Sequence, residues 1–408
     1  MRTVSRSIGA IAGCGVLVMA MSVFAQDWPQ WRGVNRDGNV AGFAAPAAWP
    51  KELTQKWKVT VGPGDSTPAL VGDRLYVCAR QGDDEVILCL DAGTGQVVWQ
   101  DKYAAQAVTG PAARHPGPRA SPAVAGGKVV TLGVGGVVSC LDAATGKVAW
   151  RKDPFPKVVP MFFAAMSPMI LDGMAIAHVG GKGQGAILAF DLAGGDQKWA
   201  WAGEAPQYAS PVLLTVEGVK QVVALTEKSV VGVGAADGKL LWQAPFVPSG
   251  RAYNNATPII SGQMVIFTGA GRGTKAVKIE KKADGFAATE VWSNPDVATG
   301  FNTPVLDGGF LFGMSEGGNF FAISAASGKT AWTGSAKVDR FCAMVGAGPT
   351  ILALPSTGEL IAFKASEKGY EELARIKVSD TPTFAHPVVA GNRIFVRGDT
   401  TLALLALP

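Results

Sequence analysis

The chain has 408 residues, of which 48% are hydrophobic and 17% charged, with 52 Gly and 25 Pro. This composition supplies enough apolar surface for a large core and excludes an intrinsically disordered protein. The formal net charge of +5 and the lack of any run of like charges argue against a nucleic-acid-binding protein.

The first 25 residues have the features of an export signal. Arg2 and Arg6 precede an apolar run at residues 15–25, and the run ends in small residues of the kind a signal peptidase cleaves. That run is too short to span a membrane, and no later run reaches spanning length. We therefore expect a periplasmic or otherwise exported chain without a transmembrane segment, cleaved near Ala25. The alternative is a lipoprotein anchored at Cys14, around which the sequence resembles a lipobox.

Residues 26–56 separate this signal from the first repeat. They contain "WPQWRG" and "AAPAAWP", which are too apolar for a flexible tail. We expect this segment to lie across the folded domain as a cap, with Trp28, Trp31 and Trp49 buried. An alternative is that the segment is itself a docking element.

A twelve-residue phrase, first read as "LCLDAGTGQVVW" at residues 88–99, recurs through the rest of the chain. The Trp residues that mark it are 40 to 51 residues apart: Trp57, Trp99, Trp150, Trp199, Trp242, Trp292 and Trp332. A second marker, a Pro that usually follows Ser or Thr, alternates with them: Pro68, Pro122, Pro168, Pro211, Pro258, Pro304, Pro349 and Pro387. A period of about 40–50 residues built from short β-rich runs is typical of propeller blades.

One unit can be divided into strands directly. After Pro68 come "ALVG", "RLYVCAR", "VILCLD" and "QVVWQ", separated by Gly- and Asp-containing turns. After Pro387 only three such strands remain, and the missing one, with its Trp, stands before the first Pro marker around Trp57. The sequence therefore predicts an all-β fold over residues 57–408: an eight-bladed β-propeller of four-stranded antiparallel blades, closed by an N-terminal strand.

The repeated phrase itself is interpreted as scaffold. Asp91 and its equivalents end a strand, where a short carboxylate can bond backbone N–H groups two or three residues on. The Gly before the last strand, such as Gly95, supplies a left-handed turn position. The Trp that follows is large enough to fill the space between blades.

The pattern "AxDxxTGKxxW" at this period resembles the repeat of the pyrroloquinoline-quinone (PQQ) type propellers, and the leader "DWPQWRGVNRDG" at residues 27–38 is similar to the start of exported members. Blade five stretches its last hairpin and blade seven lacks the Trp. The resemblance implies the fold and two kinds of activity. Some members are quinoprotein dehydrogenases that use PQQ and Ca²⁺; others resemble the BamB-type outer-membrane assembly factor, which binds protein without a cofactor. This chain has neither the vicinal Cys pair nor the C-x-x-C-H haem motif of the alcohol dehydrogenases, which favours the non-enzymatic, BamB-like branch.

The cysteines and histidines give no metal site. Cys89 and Cys140 share a repeat column whose other occupants are small, which indicates tight packing. Cys78 would lie opposite Cys89, and an exported protein could oxidise the pair, if the intervening turn were centred on Asp83–Asp84. The three histidines are not at ligand spacing to one another or to Cys.

The linkers that enter each blade are the best candidates for function, because in a propeller they converge on the mouth of the central channel. Their aromatic, amide and Arg side chains suit a peptide, a glycan or an aromatic cofactor; the alternative is that they only fill the channel. The candidates are Arg119, Phe163, Tyr208, Arg251, Tyr253, Asn254, Asn255, Phe301, Asn302, Arg340, Phe384 and His386.

These observations lead to one expected function and one alternative. We expect a monomeric binding or scaffold protein of the periplasm or cell envelope that engages a protein or peptide at this loop face, with no catalytic residue, metal or cofactor. The alternative is a PQQ- and Ca²⁺-dependent quinoprotein oxidoreductase, which the repeat family allows.

Overall fold

The computed structural model describes residues 27–181, 183–250 and 252–408. The predicted export signal with its cleavage site near Ala25, the candidate lipid anchor Cys14 and the candidate site residue Arg251 lie outside the described residues. Those described form eight four-stranded antiparallel sheets arranged as an eight-bladed propeller, as the sequence predicted. Helix within these ranges is limited to one 3-10 turn, Gly110–Arg114, and no helix there is long and apolar enough to cross a membrane.

The strands are short and mostly buried. In chain order they are β1 (Thr54–Thr60), β2 (Ala69–Val71), β3 (Arg74–Gln81), β4 (Asp84–Asp91), β5 (Val97–Ala104), β6 (Ala123–Ala125), β7 (Lys128–Leu132), β8 (Val138–Asp142), β9 (Val148–Lys152), β10 (Met169–Leu171), β11 (Met174–Gly181), β12 (Gln184–Asp191), β13 (Gln197–Gly203), β14 (Val212–Val216), β15 (Val219–Leu225), β16 (Ser229–Gly234), β17 (Leu240–Pro245), β18 (Ile259–Ser261), β19 (Met264–Thr268), β20 (Thr274–Lys282), β21 (Gly285–Asn294), β22 (Val305–Asp307), β23 (Phe310–Met314), β24 (Asn319–Ser324), β25 (Thr330–Lys337), β26 (Cys342–Ala347), β27 (Thr350–Pro355), β28 (Glu359–Lys364), β29 (Glu372–Lys377), β30 (Val388–Ala390), β31 (Arg393–Arg397) and β32 (Thr401–Ala406). We number the blades from the sheet β2–β5 as blade 1.

Blade 8 confirms the predicted closure. Its strand order is β1-β32-β31-β30, so the N-terminal strand supplies the outer edge of the last sheet. Trp57 of β1 pairs with Leu404 of β32, with a bulge just before it. The ring is thereby closed by hydrogen bonds between the two ends of the propeller, and no blade is left with an incomplete sheet.

The topology defines two faces of the disc. In each antiparallel blade the first strand starts, and the fourth ends, at the same face, which therefore carries the linkers between blades. We call this the linker face. The opposite side carries the turn between the first and second strands of each blade, and we call it the cap face because residues 27–43 contact it, as in the hydrogen bond from Gly72 N to Asp27 Oδ1.

The recurring Trp and Gly residues join neighbouring blades. The indole Nε1 of Trp99 donates to the carbonyl of Ala143 in the next blade at 3.0 Å. The turn glycine of that next blade, Gly146, has φ +74° and lies flat against the same indole, so that a Cβ there would be 2.5 Å from Trp99 Cε3. The same pair of contacts recurs between other blades, at Gly95 with Trp57, Gly195 with Trp150, Gly238 with Trp199 and Gly328 with Trp292.

Among the described residues, the hydrogen bond from an indole to the next blade is missing at two junctions where the repeat departs from its pattern, between blades 4 and 5 and between blades 7 and 8. Blade 5 replaces the turn with the long hairpin of β20 and β21, and Trp242 of blade 4 donates instead to Gln221 Oε1 of its own blade. Blade 7 lacks the Trp, as the sequence showed. Its marker was wrongly assigned, however: Pro349 lies in the turn between β26 and β27, and Met344 holds the position that Pro occupies in other blades.

The packing role of the Cys column is also explained. Cys89 pairs with Trp99 and Cys140 with Trp150, so a small residue stands directly opposite each large indole. The expected alignment of Cys78 with Cys89 is wrong, because the turn is centred one residue earlier and pairs Cys78 with Ile87. The four cysteines in the described ranges are free and buried.

Candidate functional site

A belt of hydrogen bonds holds the linkers in place around the channel. The residue just before each Pro marker donates its backbone N–H to the hydroxyl of the equivalent residue in the next blade, as Thr67 does to Ser121 Oγ at 3.0 Å. His386, which precedes Pro387, donates in the same way to Thr67 Oγ1. The remaining links are Ser121 to Ser167, Ser167 to Ser210, Ser210 to Thr257 and Thr257 to Thr303. The belt is interrupted at blade 7, where the equivalent residue is Ala343.

Residues 27–43 reach this belt from the cap face. Arg36 is fully buried and donates to the carbonyls of Ser167, Pro168 and Pro211, which belong to blades 3 and 4. Arg32, also buried, donates to the carbonyls of Thr303 and Pro304 in blade 6. The segment therefore spans the channel from one side to the other, with its guanidinium groups at the level of the belt.

Three Trp side chains of the predicted cap, residues 26–56, were expected to be buried, and one of the three is. Trp28 is buried, with backbone hydrogen bonds to Leu70 of blade 1. Trp31 is half-buried, donates to Thr257 Oγ1 and packs edge-on against the ring of His386. Trp49 is also half-buried.

The two guanidinium groups carry charge into the interior without an acidic partner. Burial lowers the pKa of Arg32 to about 10 and that of Arg36 to about 9. Within the described part of the chain neither forms an ion pair, so main-chain carbonyls solvate both. The segment, which carries two Arg and two Asp side chains, closes the channel at the cap face.

At the linker face the channel mouth is ringed by half-buried aromatic side chains. Seven of the linkers each contribute one ring, and we call this set the aromatic collar: His115, Phe162, Tyr208, Tyr253, Phe301, Phe341 and Phe384. Phe301, at 52% relative exposure, is the most open of them.

Neighbouring rings of the collar are in contact. Phe384 packs edge-on against His115 at 4.8 Å and against Phe341 at 5.1 Å between ring centroids. Tyr253 packs in the same way against Tyr208 at 5.1 Å and Phe162 at 5.4 Å. Such edge-to-face pairs are favourable and hold each ring in a defined orientation.

Polar side chains join these two groups of rings. Arg119 donates to the carbonyls of Phe162 and His115, and its guanidinium lies 6.0 Å from the ring of Tyr208. On the opposite side, Asn255 Nδ2 donates to the carbonyl of Gly300, beside Phe301. The collar is thus continuous around the mouth.

His115 is held by a carboxylate from the linker that enters blade 1. Its Nδ1 lies 2.8 Å from Asp65 Oδ2. The hydrogen bond that His115 donates to Asp65 is the largest of the effects that raise the pKa of His115. The pair places a switchable positive charge at the rim of the mouth.

The structure divides the predicted site residues into two groups. Tyr208, Tyr253, Phe301 and Phe384 belong to the collar, Arg119 and Asn255 link it, and Arg340 is exposed on the same face. Others are buried and used in the framework. These are Asn254, bonded to the carbonyl of Thr226; Asn302, bonded to Met314; His386, in the belt; and Phe163, behind Phe162 with φ +68°.

Sequence reasoning missed Phe162, Phe341 and His115, and a positional signal identifies only Phe341 among them, once the marker of blade 7 is placed at Met344. Counting three residues back from each Pro marker, or from Met344 in blade 7, gives a column that lines the mouth: Asp65, Arg119, Ala165, Tyr208, Asn255, Phe301, Phe341 and Phe384. Where this column holds the small residues Ala165 or Asn255, the ring comes from earlier in the linker, as Phe162 and Tyr253.

Two of the amides that the sequence offered as candidate ligands are held by the framework. The amide oxygen of Asn254 accepts from Arg272 Nη1 at 2.8 Å, and that of Asn302 accepts from the backbone N–H of Met314. Each amide oxygen therefore accepts one hydrogen bond that fixes its side chain within the framework. Across the described ranges no group of three or more His, Cys, Asp or Glu side chains could hold a metal ion. We derive no redox step from this site.

Known proteins similar to this chain share the propeller. The sequence profile of the family described as outer membrane protein assembly factor BamB matches residues 83–334. The BamB of Burkholderia pseudomallei is 24% identical over 357 residues, which cover 85% of this chain and 85% of that protein. The crystal structure of BamB from Moraxella catarrhalis superposes with a TM-score of 0.66 at 16% identity, covering 87% of this chain and 100% of that one. Quinohemoprotein alcohol dehydrogenase from Comamonas testosteroni superposes with a TM-score of 0.71 at 16% identity, covering 95% and 81%. At these identities the two structures show the fold alone.

Proposed function

We propose that this chain, which belongs to the family of the outer membrane protein assembly factor BamB, is a protein-binding scaffold of the cell envelope and that its aromatic collar receives a segment of a partner protein. The collar is the observation that carries the proposal. It is a ring of half-buried aromatic side chains at a channel mouth whose other end is closed by residues 27–43. The role requires no bound cofactor.

Exposed apolar side chains support binding of protein at this face. Met161 is 74% exposed beside Phe162, and Val247 and Phe301 are more than half exposed, all three on linkers. Large apolar side chains with this exposure, close to half-buried aromatic rings, are typical of surfaces that bind other proteins. Six of the seven rings are already oriented by their mutual contacts, which limits the entropy lost on binding.

The collar also indicates the chemistry of its occupant. Phe301, Phe341 and Phe384 come from blades 6, 7 and 8 and form an apolar arc, whereas Asp65 and Arg119 come from blades 1 and 2 and form a polar one. An extended peptide segment with a large apolar side chain flanked by a polar or charged residue matches both arcs.

The test is site-specific photo-crosslinking in the native host, followed by binding with purified proteins. A photoreactive residue at position 301 should crosslink to an envelope protein, whereas one at Val98, equally accessible on the outer edge of blade 1, should not. With the purified partner, Phe301→Ser should weaken binding by about 30-fold, the effect of losing about 2 kcal/mol at an interface hot spot. Val98→Ser is the matched control. Crosslinks from position 98 but none from 301, or equal affinities for both variants, would contradict the proposal.

A further inference from the structure

A cavity separate from the channel lies between blades 1 and 2. Its volume is about 420 Å³, within the range of small-ligand sites. Blade 1 contributes Glu85, Tyr103 and the end of β5, and blade 2 contributes the turn between β7 and β8 together with residues that follow β9. The turn between the second and third strands of each blade lies at the linker face, and the fourth strand of each blade ends there. The cavity is lined by such turns and strand ends, so it opens at the linker face, beside the collar.

Glu85 forms the base of this cavity. It is only 2% exposed, accepts a hydrogen bond from Tyr103 Oη at 2.5 Å, and accepts another from the backbone N–H of Val134 at 2.8 Å. Glycine is required at position 133, because a Cβ there would lie 2.2 Å from Glu85 Oε2. The turn of blade 2 is thus shaped around the carboxyl group.

Glu85 forms no direct ion pair in the described part of the chain, although the charges of Arg80 and Arg119 act on its carboxyl group from a distance. Arg80, its neighbour across β3 and β4, donates to the carbonyls of Gly82 and Gln106 instead. Burial is the main reason why the pKa of Glu85 is raised. Each carboxylate oxygen retains a second lone pair beyond the hydrogen bond it accepts, so the group can still bind a donor that enters the cavity.

The rest of the lining suits a slender organic cation. Ala104, Ala105 and Val137 offer alkyl surface along the cavity, and the exposed side chains of Asp153 and Lys157 place one carboxylate and one ammonium group at its rim. The Tyr103 ring already packs against one guanidinium, that of Arg151, at 4.3 Å. An alkyl stem along the wall would bring an ammonium or guanidinium group to Glu85, where ion pairing in a partly desolvated site is strong.

We propose that this cavity binds an alkyl-linked cation, which is either the Lys or Arg side chain of a partner protein or a free diamine. Its binding supplies the direct ion-pair partner that Glu85 lacks. The site is distinct from the collar and does not depend on the function proposed for it.

The test is a titration of the purified protein, followed by the amide chemical shifts of Gly133, Val134 and Gly135 and by calorimetry. N-acetyl-arginine methylamide and N-acetyl-lysine methylamide represent partner side chains, and cadaverine represents a free diamine. We expect saturable shifts at these three amides with at least one probe. Tighter binding of a blocked amino acid would assign the site to a partner protein, and tighter binding of cadaverine would assign it to a free diamine.

Three variants complete the experiment. Glu85→Gln keeps the hydrogen-bonding shape but removes the charge, and it should weaken binding by about tenfold or more. Ala104→Phe, at an exposed position of the rim, should block entry without touching Glu85. Glu367→Gln, an exposed carboxylate in blade 7, is the matched control and should bind as the unmodified protein does. Absence of shifts at Gly133–Gly135 in the unmodified protein, or equal affinity in Glu85→Gln, would overturn the proposal.

Discussion

Replacement of Gly146 by Ala tests a contact that recurs between the blades, that of a turn glycine with the indole of the preceding blade. Gly146 has φ +74°, and a Cβ would lie 2.5 Å from Trp99 Cε3. Gly173, in the turn between β10 and β11, has φ +75° and nothing within 4 Å of the same position. The two glycines therefore share a backbone conformation and differ in their surroundings.

The magnitudes follow from these two terms. A left-handed conformation costs a residue with a side chain about 1–2 kcal/mol relative to Gly, so Gly173→Ala should lower the free energy of unfolding by that amount. Gly146→Ala adds the strain of an extra methyl group in a packed interface, about 1–3 kcal/mol. The indole has little freedom to move away, because its Nε1 is hydrogen-bonded to Ala143. Gly146→Ala should thus be the more damaging by about 1–3 kcal/mol.

Guanidinium unfolding of the two variants and of the unmodified protein, followed by Trp fluorescence, measures this difference. A second pair of measurements locates it: in a Trp99→Leu background the additional cost of Gly146→Ala should disappear, since the clashing ring is gone. Equal losses for Gly146→Ala and Gly173→Ala would refute the reasoning. So would an additional cost that persists in the absence of Trp99.

Two other predictions concern single hydrogen bonds. Trp150→Phe removes the indole N–H that donates to the carbonyl of Leu192. The loss of this hydrogen bond should lower the free energy of unfolding by about 1 kcal/mol, in addition to any effect of the smaller ring. Chemical denaturation measures the change, and an unchanged midpoint would contradict the prediction. The raised pKa of His115 means that its pairing with Asp65 stabilises the fold fully below the ordinary pKa of 6.5 and that this contribution is lost as pH rises through the folded-state pKa. His115→Gln should therefore be less stable than the unmodified protein at about pH 5 and similar at about pH 8, and a difference that grows with pH would show the opposite linkage.

The fold was predictable because its determinants are repeated. Strand ends marked by Asp91, turns marked by Gly95 and indoles such as Trp99 recur at one period, so each copy supports the assignment of the others. The Asp91 carboxylate accepts from the backbone N–H groups of Gly93 and Thr94, as the sequence indicated. The role of Gly95 against Trp57 was not predictable, since that contact joins residues from different blades.

The sequence predicted which face of the propeller carries the candidate site, but not which side chains form it. The linkers do converge on one mouth, but which of their side chains reach it depends on the belt. Asn254 and Asn302 suggested ligand binding by their chemistry, and both are instead bonded to main-chain groups of their own surroundings. The cavity at Glu85 could not be predicted from the sequence, because it forms between the turn of blade 2 that joins β7 and β8 and residues of blade 1.

The belt explains why specificity should reside three residues before each Pro marker. The residue directly before the Pro is Ser or Thr in most blades, because its hydroxyl must accept a hydrogen bond from a backbone N–H of the preceding blade. The same residue types therefore recur at this position. The side chains three residues before the Pro take no part in the belt, and their residue types differ around the ring: Asp65, Arg119, Ala165, Tyr208, Asn255, Phe301, Phe341 and Phe384. The belt fixes the position of this column in space but not its chemistry, so a repetitive eight-bladed architecture presents an asymmetric surface, in which an apolar arc lies next to a charged one. In the proposed function, a partner segment that binds this column approaches from the linker face, because residues 27–43 lie across the other end of the channel.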